Sequence, residues 1–384
     1  MEEKREQDWD PRSEAVMRDQ RAAYDAMRER CPVAFSDYLQ WSVFRHEDVM
    51  RVLNDHAAFS SATSRHLSVP NGMDPPEHTA YRRVIEPYFT PARMQAFEPV
   101  CRSIAADLVQ RLLGREAVEV IADLGQAFAV RIQCAFLGWP ADLHEPLRVW
   151  TRKNQEATLT QDREAMNAVA RELTGYVEQL LGARRERAER APDDITTSLL
   201  HLQVNGKPLR DGEIVSILRN WTVGEVGTIA ASVGILAHFL AQEPDHQREL
   251  RAQPSLLAAA IDEILRLHGP LVANRRITTR PVEIGGRKLE AGERLSLIWV
   301  SANRDGRAFD APDTFRLDRD PAQNLLYGAG IHVCPGAPLA SLELRVLMEE
   351  LLRRTQRIEP VAGKPPTLAV YPASGFSELP LRIT

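Results

Sequence analysis

The stretch Tyr327-Gly328-Ala329-Gly330-Ile331-His332-Val333-Cys334-Pro335-Gly336 decides how the rest of this sequence is interpreted. Three glycines and a proline in ten residues do not suit a regular helix or strand. They predict a tight loop whose backbone can approach another group closely. Residues 337–345 are typical of a helix start, where free N–H groups and the helix dipole favour a thiolate. A thiolate binds metal, although a lone cysteine in such a loop is more often structural.

The spacing of this stretch resembles the haem-binding loop of the cytochrome P450 family, whose pattern is F-G-x-G-x-H-x-C-x-G. Tyr327 replaces the phenylalanine, and the other fixed positions are occupied by Gly328, Gly330, His332, Cys334 and Gly336. The resemblance implies that Cys334 is the proximal iron ligand of haem b and that Tyr327, Gly328, His332 and Gly336 contact the cofactor. It also implies a mainly α-helical fold with small β-sheets, in which a long central helix lies over the haem and the cysteine loop beneath it.

Composition and charge are ordinary for a globular protein. The 384 residues are 44% apolar and 26% charged, and the net charge of -5 gives no reason to propose nucleic acid as a partner. The four cysteines show no C-x-x-C pair or zinc spacing, which favours reduced thiols in a cytoplasm. The N-terminus is charged, and the longest apolar run, 228–241, is shorter than the ~18 residues of a membrane span. We therefore expect a cytoplasmic protein without a membrane anchor.

A helix start at Asp74-Pro75-Pro76 precedes two residues that suit an anion. His78 and Arg82 are four positions apart and share a helix face, so together they can bind a carboxylate. On its own this pattern is more typical of a solvated helix face. It resembles the family's C-helix, which implies that both residues bind haem propionates. Arg276 likewise fits the family's strand arginine at a propionate, and the loop from Ser60 to Met73 corresponds to the region that roofs the substrate pocket.

A long helical pattern from Asp211 to Gln242 is interrupted by Gly224-Glu225-Val226-Gly227-Thr228. It resembles the family's I-helix, A/G-G-x-D/E-T-T/S, which places Thr228 on the oxygen-activating threonine. Gly227 stands where the family has an acid, and Glu225 stands where it has glycine. Two hypotheses for Glu225 follow. Either it replaces the missing acid as a catalytic residue, or it points away from the haem and pairs with an arginine of a neighbouring helix.

Two further sets of residues are expected from the resemblance. Glu263 and Arg266 match the E-x-x-R of the family's K-helix, and Arg304 is expected to complete a structural triad with them. Buried charges of this kind must be paired. The substrate pocket is expected to be lined by Asn220, Val223, Val272 and Ala273.

The whole chain, 1–384, is predicted to form one cytochrome P450 domain. Its helix-rich parts are predicted at roughly 74–270 and 335–355, and its β-rich parts at roughly 31–60, 271–300 and 360–384. The resemblance implies a haem-thiolate monooxygenase that inserts one oxygen atom from O2 into a small or medium apolar substrate, by hydroxylation or oxidative dealkylation. Electrons are expected from a ferredoxin and its reductase. Three alternatives remain: a peroxide-driven enzyme, which Gly227 allows, an enzyme acting on carrier-bound substrates, and a non-enzymatic haem sensor.

Overall fold

The computed structural model describes residues 5–64, 66–371 and 373–384, and these are mostly helical. The helices of the first half are α1 (Glu14–Arg18), α2 (Gln20–Arg30), α3 (His46–Asn54), α4 (Glu77–Ile85), α5 (Pro91–Leu112), α6 (Ala127–Leu137), α7 (His144–Thr160) and α8 (Arg163–Arg187). Those of the second half are α9 (Ile195–Leu199), α10 (Asp211–Gln242), α11 (Pro244–Ala252), α12 (Leu257–His268), α13 (Trp299–Ala302) and α14 (Ala337–Arg354). A π-helical stretch, Ile121–Gln126, leads into α6.

The strands are short and, in the described residues, form one five-stranded sheet, one three-stranded sheet and three two-stranded sheets. They are β1 (Val33–Ser36), β2 (Gln40–Val43), β3 (Phe59–Ser60), β4 (Val118–Glu119), β5 (Gln203–Val204), β6 (Lys207–Pro208), β7 (Ala273–Thr278), β8 (Val282–Ile284), β9 (Arg287–Leu289), β10 (Arg294–Ile298), β11 (Ile358–Pro360), β12 (Thr367–Leu368), β13 (Phe376–Glu378) and β14 (Pro380–Ile383). The main sheet has the order β1-β2-β10-β7-β3, in which only β2 and β10 are parallel. A second sheet has the order β11-β14-β4. A mainly helical fold with small sheets was predicted and is confirmed.

The central helix α10 has clear start and stop signals. Glu213 accepts a hydrogen bond from the backbone N–H of Arg210 at 2.7 Å, which satisfies a free donor at the helix start. The helix ends at Gln242, two residues before Pro244, which begins α11. Its predicted bounds, Asp211 and Gln242, agree with the structure. The glycines at 224 and 227 do not interrupt it, because neighbouring helices support it along its length.

Burial explains why α10 is so apolar. It packs against α6, α8, α12, α14 and the π-helical stretch. Among the described residues it is the one helix long and apolar enough to cross a membrane, and more than half of its most apolar window is buried inside the protein. The crossing with the π-helical stretch is very close: a Cβ at Gly125 would lie 2.9 Å from the carbonyl oxygen of Ala230. Only glycine permits this approach.

Candidate active site

The cysteine loop is shaped by two glycines and one backbone hydrogen bond. The N–H of Cys334 donates to the carbonyl of Tyr327 at 2.9 Å and closes the loop. Gly328 has φ +75°, and a Cβ there would lie 2.7 Å from the ring of Trp299. Gly330 has φ +69°, and its Cβ would lie 2.3 Å from a carbonyl oxygen near the end of α3. Side chains at either position would be both strained and blocked, so the loop requires glycine twice.

Cys334 lies just before the first turn of α14 and is exposed. Desolvation by the surrounding loop raises the pKa of its thiol. The backbone N–H groups of Gly336 and Ala337 bond the sulfur and act in the opposite direction, as does the charge of Arg82. Pro335 contributes no N–H. This arrangement of donors stabilises a thiolate once a metal compensates the desolvation.

Four cationic or potentially cationic side chains converge beside the loop: His78, Arg82, Arg276 and His332. The two imidazole rings lie 4.2 Å apart between centroids. The Nε2 atom of each is buried and has no hydrogen-bond partner among the described residues. Arg276 is 4% exposed, and within the described chain its side chain is hydrogen-bonded to the carbonyl of Arg275, at 2.7 Å, rather than ion-paired with a carboxylate.

Within the described chain only Arg82 of this cluster is ion-paired, with Glu86, and Asp74 acts on the other three side chains by its charge alone. Burial lowers the pKa of Arg276 to about 10. Burial, with the charges of His78 and Arg276, lowers the pKa of His332 to about 3. Burial and the charge of Arg82 also lower the pKa of His78. Unpaired buried cations are costly, so the cluster fits a ligand that carries carboxylates. The two propionates of haem, with its iron at Cys334, meet this requirement.

Arg82 joins helix α4 to the cysteine loop. Its Nη1 donates to the carbonyl of Val333 at 2.9 Å, and its Nε donates to Glu86 at 2.9 Å. Arg82 is buried, whereas its neighbour Arg83 is exposed. The expected pairing of His78 and Arg82 on one helix face therefore places both next to the loop that holds Cys334.

Helix α10 presents an open face at the glycine-containing segment. A Cβ at Gly224 would meet no atom within 4 Å, and Val223 is 44% exposed. The hydroxyl of Thr228 donates to the carbonyl of Gly224 at 2.5 Å. Because that proton is engaged, Thr228 Oγ1 retains its lone pairs for accepting a hydrogen bond. The segment thus offers a flat surface with one hydroxyl at its edge.

Among the described residues, Glu225 does not have the arginine partner that one hypothesis required. Its carboxyl contacts that of Glu343 on α14, which is 0% exposed. Glu225 Oε1 and both carboxyl oxygens of Glu343 are buried and lack a donor among the described residues. Burial raises the pKa of both groups, and the charge of Glu225 further raises that of Glu343. Two facing carboxyls without a cation hold a proton between them.

The structural triad contains a different arginine from the one expected. Glu263 accepts from Arg266 Nε at 2.7 Å and from Arg319 Nε at 2.8 Å. Arg304 instead bonds Asp25, with 2.9 Å between Nη2 and Oδ2. The assignment of Arg304 to the triad is therefore wrong, and Arg319 takes that place. No spacing rule distinguishes Arg319 in the sequence, because it lies in an irregular segment 56 residues after Glu263.

A cavity of about 340 Å³ lies between the loop 60–73, the end of α7 and strand β7. Ala273 lines it, as expected. Asn220 instead holds the loop, donating to the carbonyl of Val69 at 2.9 Å. Val272 is 2% exposed and lies in a core cluster, so the structure assigns it to the core. The sequence did not identify the polar residues of the wall, which are Ser61, Thr63, Ser64, His66, Ser68, Asn71, Thr158, Asn274, Arg275 and Tyr371.

Comparisons with known proteins agree with this geometry. Residues 143–370 match the family described as "Cytochrome P450". The chain is 31% identical over 351 residues to the "Putative cytochrome P450 YjiB" of Bacillus subtilis, covering 89% of each chain. It is 32% identical over 359 residues to the "Erythromycin C-12 hydroxylase" of Saccharopolyspora erythraea, again covering 89% of each. A solved mutant of P450 EryK in complex with erythromycin B superposes with a TM-score of 0.86 at 30% identity, covering 96% of this chain and 97% of that one.

Proposed function

The chain belongs to the cytochrome P450 family of haem-thiolate monooxygenases, and from this premise we propose which of its residues carry the reaction and which donors supply its electrons. The observation that carries the proposal is the buried cationic cluster beside the Cys334 loop, in which His78, Arg276 and His332 are bonded to no carboxylate of the described residues. Haem b, when bound, supplies the activation of O2 and the insertion of one oxygen atom into the substrate. The protein binds the cofactor, orients the substrate and delivers protons.

Cofactor binding is assigned to one iron ligand, to four side chains that hold the haem carboxylates, and to three residues that shape the cysteine loop. Cys334 provides the thiolate, and Tyr327, Gly328 and Gly336 shape the loop around it. Carboxylates of the haem are held by four side chains, which are His78, Arg82, Arg276 and His332. The unpartnered Nε2 atoms of the two histidines and the unpaired guanidinium of Arg276 support this assignment. Charge-assisted hydrogen bonds of this type contribute about 1.5–3 kcal/mol each.

Proton delivery is assigned to Thr228 and ordered water. Its Oγ1 accepts a hydrogen bond because its own proton is donated to Gly224. Gly227 has no acid to offer, and the side-chain amide of Gln155 lies 3.8 Å from where a Cβ at 227 would be. Glu225, a candidate for the missing acid, shares its proton with Glu343 and is proposed to act as a buried structural carboxyl. The route of protons therefore runs through water held between α7 and α10.

Electrons are proposed to come from a ferredoxin and its reductase, in the cytoplasm. Arg83 supports this proposal because it is exposed on α4, one residue after the arginine that bonds the cysteine loop. An acidic ferredoxin surface suits a cationic site of this kind. Arg83→Glu should slow reduction by ferredoxin while leaving reduction by dithionite unchanged. A peroxide-driven enzyme is favoured instead if H2O2 supports turnover and ferredoxins do not, an outcome that Gly227 allows.

The test of thiolate ligation is the spectrum of the reduced, CO-treated protein. We expect the band at about 450 nm that is typical of thiolate-ligated haem. Cys334→Ala should lose this band while its far-UV circular dichroism stays native. Cys31→Ala is the matched control, since Cys31 lies at the end of α2 and not in the cysteine loop, and this variant should keep the band. Retention of the band in Cys334→Ala would refute the ligand assignment.

A further inference from the structure

Most of the residues that line the cavity beside β7 have polar side chains. Hydroxyl and amide groups include those of Ser61, Asn71 and Thr158, whereas Leu271 and Ala273 are apolar. No aspartate or glutamate lines the cavity in the part of the chain that the structure describes. A purely hydrocarbon ligand would bury these hydroxyls and amides without partners, which is unfavourable. The wall is therefore poorly suited to the apolar substrate that the sequence suggested.

Arg275 is the charged group of this wall that the cofactor does not account for. It lies on β7 next to Arg276, and both residues line the cavity, but Arg276 is the one that also acts on His332 in the cationic cluster. Arg276 is buried and Arg275 is exposed. Arg275 Nη2 lies 3.3 Å from the hydroxyl of Tyr371, and no carboxylate of the described residues pairs with Arg275.

Tyr371 is held in place to act together with Arg275. It is 6% exposed, and its ring packs edge-on against Tyr38 with centroids 5.7 Å apart. The hydroxyl of Tyr38 is bonded to the carbonyl of Leu159, 3.0 Å away, at the end of α7. Tyr371 Oη and the Arg275 guanidinium therefore form a fixed pair of donors at one end of the cavity. A fork of N–H donors beside an O–H donor matches the geometry of a carboxylate.

We propose that the substrate of this enzyme is an oxygenated organic acid, whose carboxylate is bound by Arg275 and Tyr371 and whose other oxygens bond the hydroxyl-rich wall. The inference rests on the proposed function and names its substrate class. The haem carboxylates have their own partners in the cationic cluster, so Arg275 remains for the substrate. The wall thereby fixes the acid end of the molecule.

The test uses probes that report their own binding. A series of ω-(imidazol-1-yl)alkanoic acids of about six to twelve carbons suits a cavity of this size, and each has a matching primary amide. Their imidazole binds the haem iron and shifts its Soret band to the red, so Kd is read from the spectrum. At the best chain length we expect the acid to bind about tenfold more tightly than its amide. Arg275→Gln should remove that preference, leave the Kd of the amide unchanged and keep the haem content.

The matched control is Arg294→Gln, which removes the same charge from the neighbouring strand β10. Arg294 is exposed and lies outside the cavity wall, so the preference for the acid should persist. Equal Kd values for acid and amide at every length, or a preference that survives Arg275→Gln, would overturn the inference. Loss of haem in Arg275→Gln would reassign Arg275 to the cofactor. If neither series shifts the Soret band, or the 450 nm band is missing, the proposed function fails first.

Discussion

The ion pairs around Glu263 predict different coupling energies for two arginines, Arg319 and Arg304. Glu263 accepts hydrogen bonds from Arg266, from Arg319 and from the backbone N–H of Arg316, the last at 3.1 Å. Arg304 is also buried, yet its carboxylate partner on α2 is Asp25. The perturbation is a pair of double-mutant cycles. One combines Glu263→Gln with Arg319→Gln, and the other combines Glu263→Gln with Arg304→Gln.

The expected free energies follow from burial and from the number of shared bonds. Glu263 is 5% exposed, so Glu263→Gln leaves the buried Arg266 and the half-buried Arg319 short of a counter-charge and should lower the free energy of unfolding by about 3–5 kcal/mol. Glu263 and Arg319 share one charge-assisted hydrogen bond, which predicts a coupling of about 1.5–3 kcal/mol. Glu263 and Arg304 share no bond, so their coupling should fall within about 0.5 kcal/mol of zero.

The assay is urea unfolding of the haem-loaded protein, followed by far-UV circular dichroism and Soret absorbance on the same samples. The control cycle, Arg304→Gln with Asp25→Asn, should show coupling, which establishes that Arg304 variants are informative. It also remains measurable if Glu263→Gln does not fold. A coupling between Glu263 and Arg304 as large as that between Glu263 and Arg319 would refute the reasoning.

Three other predictions concern the site. Burial and the charge of Glu225 raise the pKa of Glu343. The folded protein therefore keeps a proton on Glu343 that the unfolded chain releases above about pH 4.5, so the free energy of unfolding falls as pH rises. Glu343→Gln should therefore raise the free energy of unfolding over wild type increasingly from about pH 5 to about pH 8, with the two curves meeting near pH 4; a constant offset would contradict this. Arg276→Leu should speed haem loss to apomyoglobin, whereas Arg294→Leu should not. Thr228→Ala should retain haem but divert electrons from product to H2O2, measured as product formed per O2 consumed; unchanged coupling would exclude Thr228 from proton delivery.

The parts of this fold that the sequence predicts are those encoded by local signals. The bounds of α10 follow from its apolar residues and from Pro244, and α3 follows from its helical spacing over His46–Asn54. The cysteine loop follows from its glycines, which a positive φ and close backbone contacts demand at 328 and 330. The position of His78 and Arg82 on one helix face follows from their separation of four residues. In each of these cases the deciding contacts lie within a few residues.

The features that the sequence does not predict depend on contacts between side chains that are far apart along the chain. Glu225 and Glu343 would be expected to avoid each other by charge, and only the packing of α10 on α14 brings them together. Arg319 reaches Glu263 across an irregular segment, where spacing carries no geometric information. The polar wall of the cavity is built from the loop 60–73 and from β7, and the faces of a loop follow no period.

The bond from Arg82 to Val333 has a consequence for the order of folding. It joins residues 251 positions apart, and the backbone at Gly330 is packed on α3, which is still farther away along the chain. Contacts of such high sequence separation carry a large loop-closure entropy and form late. The cysteine loop therefore reaches its final shape only after α3 and α4 have packed against it, and we expect haem to bind after this packing.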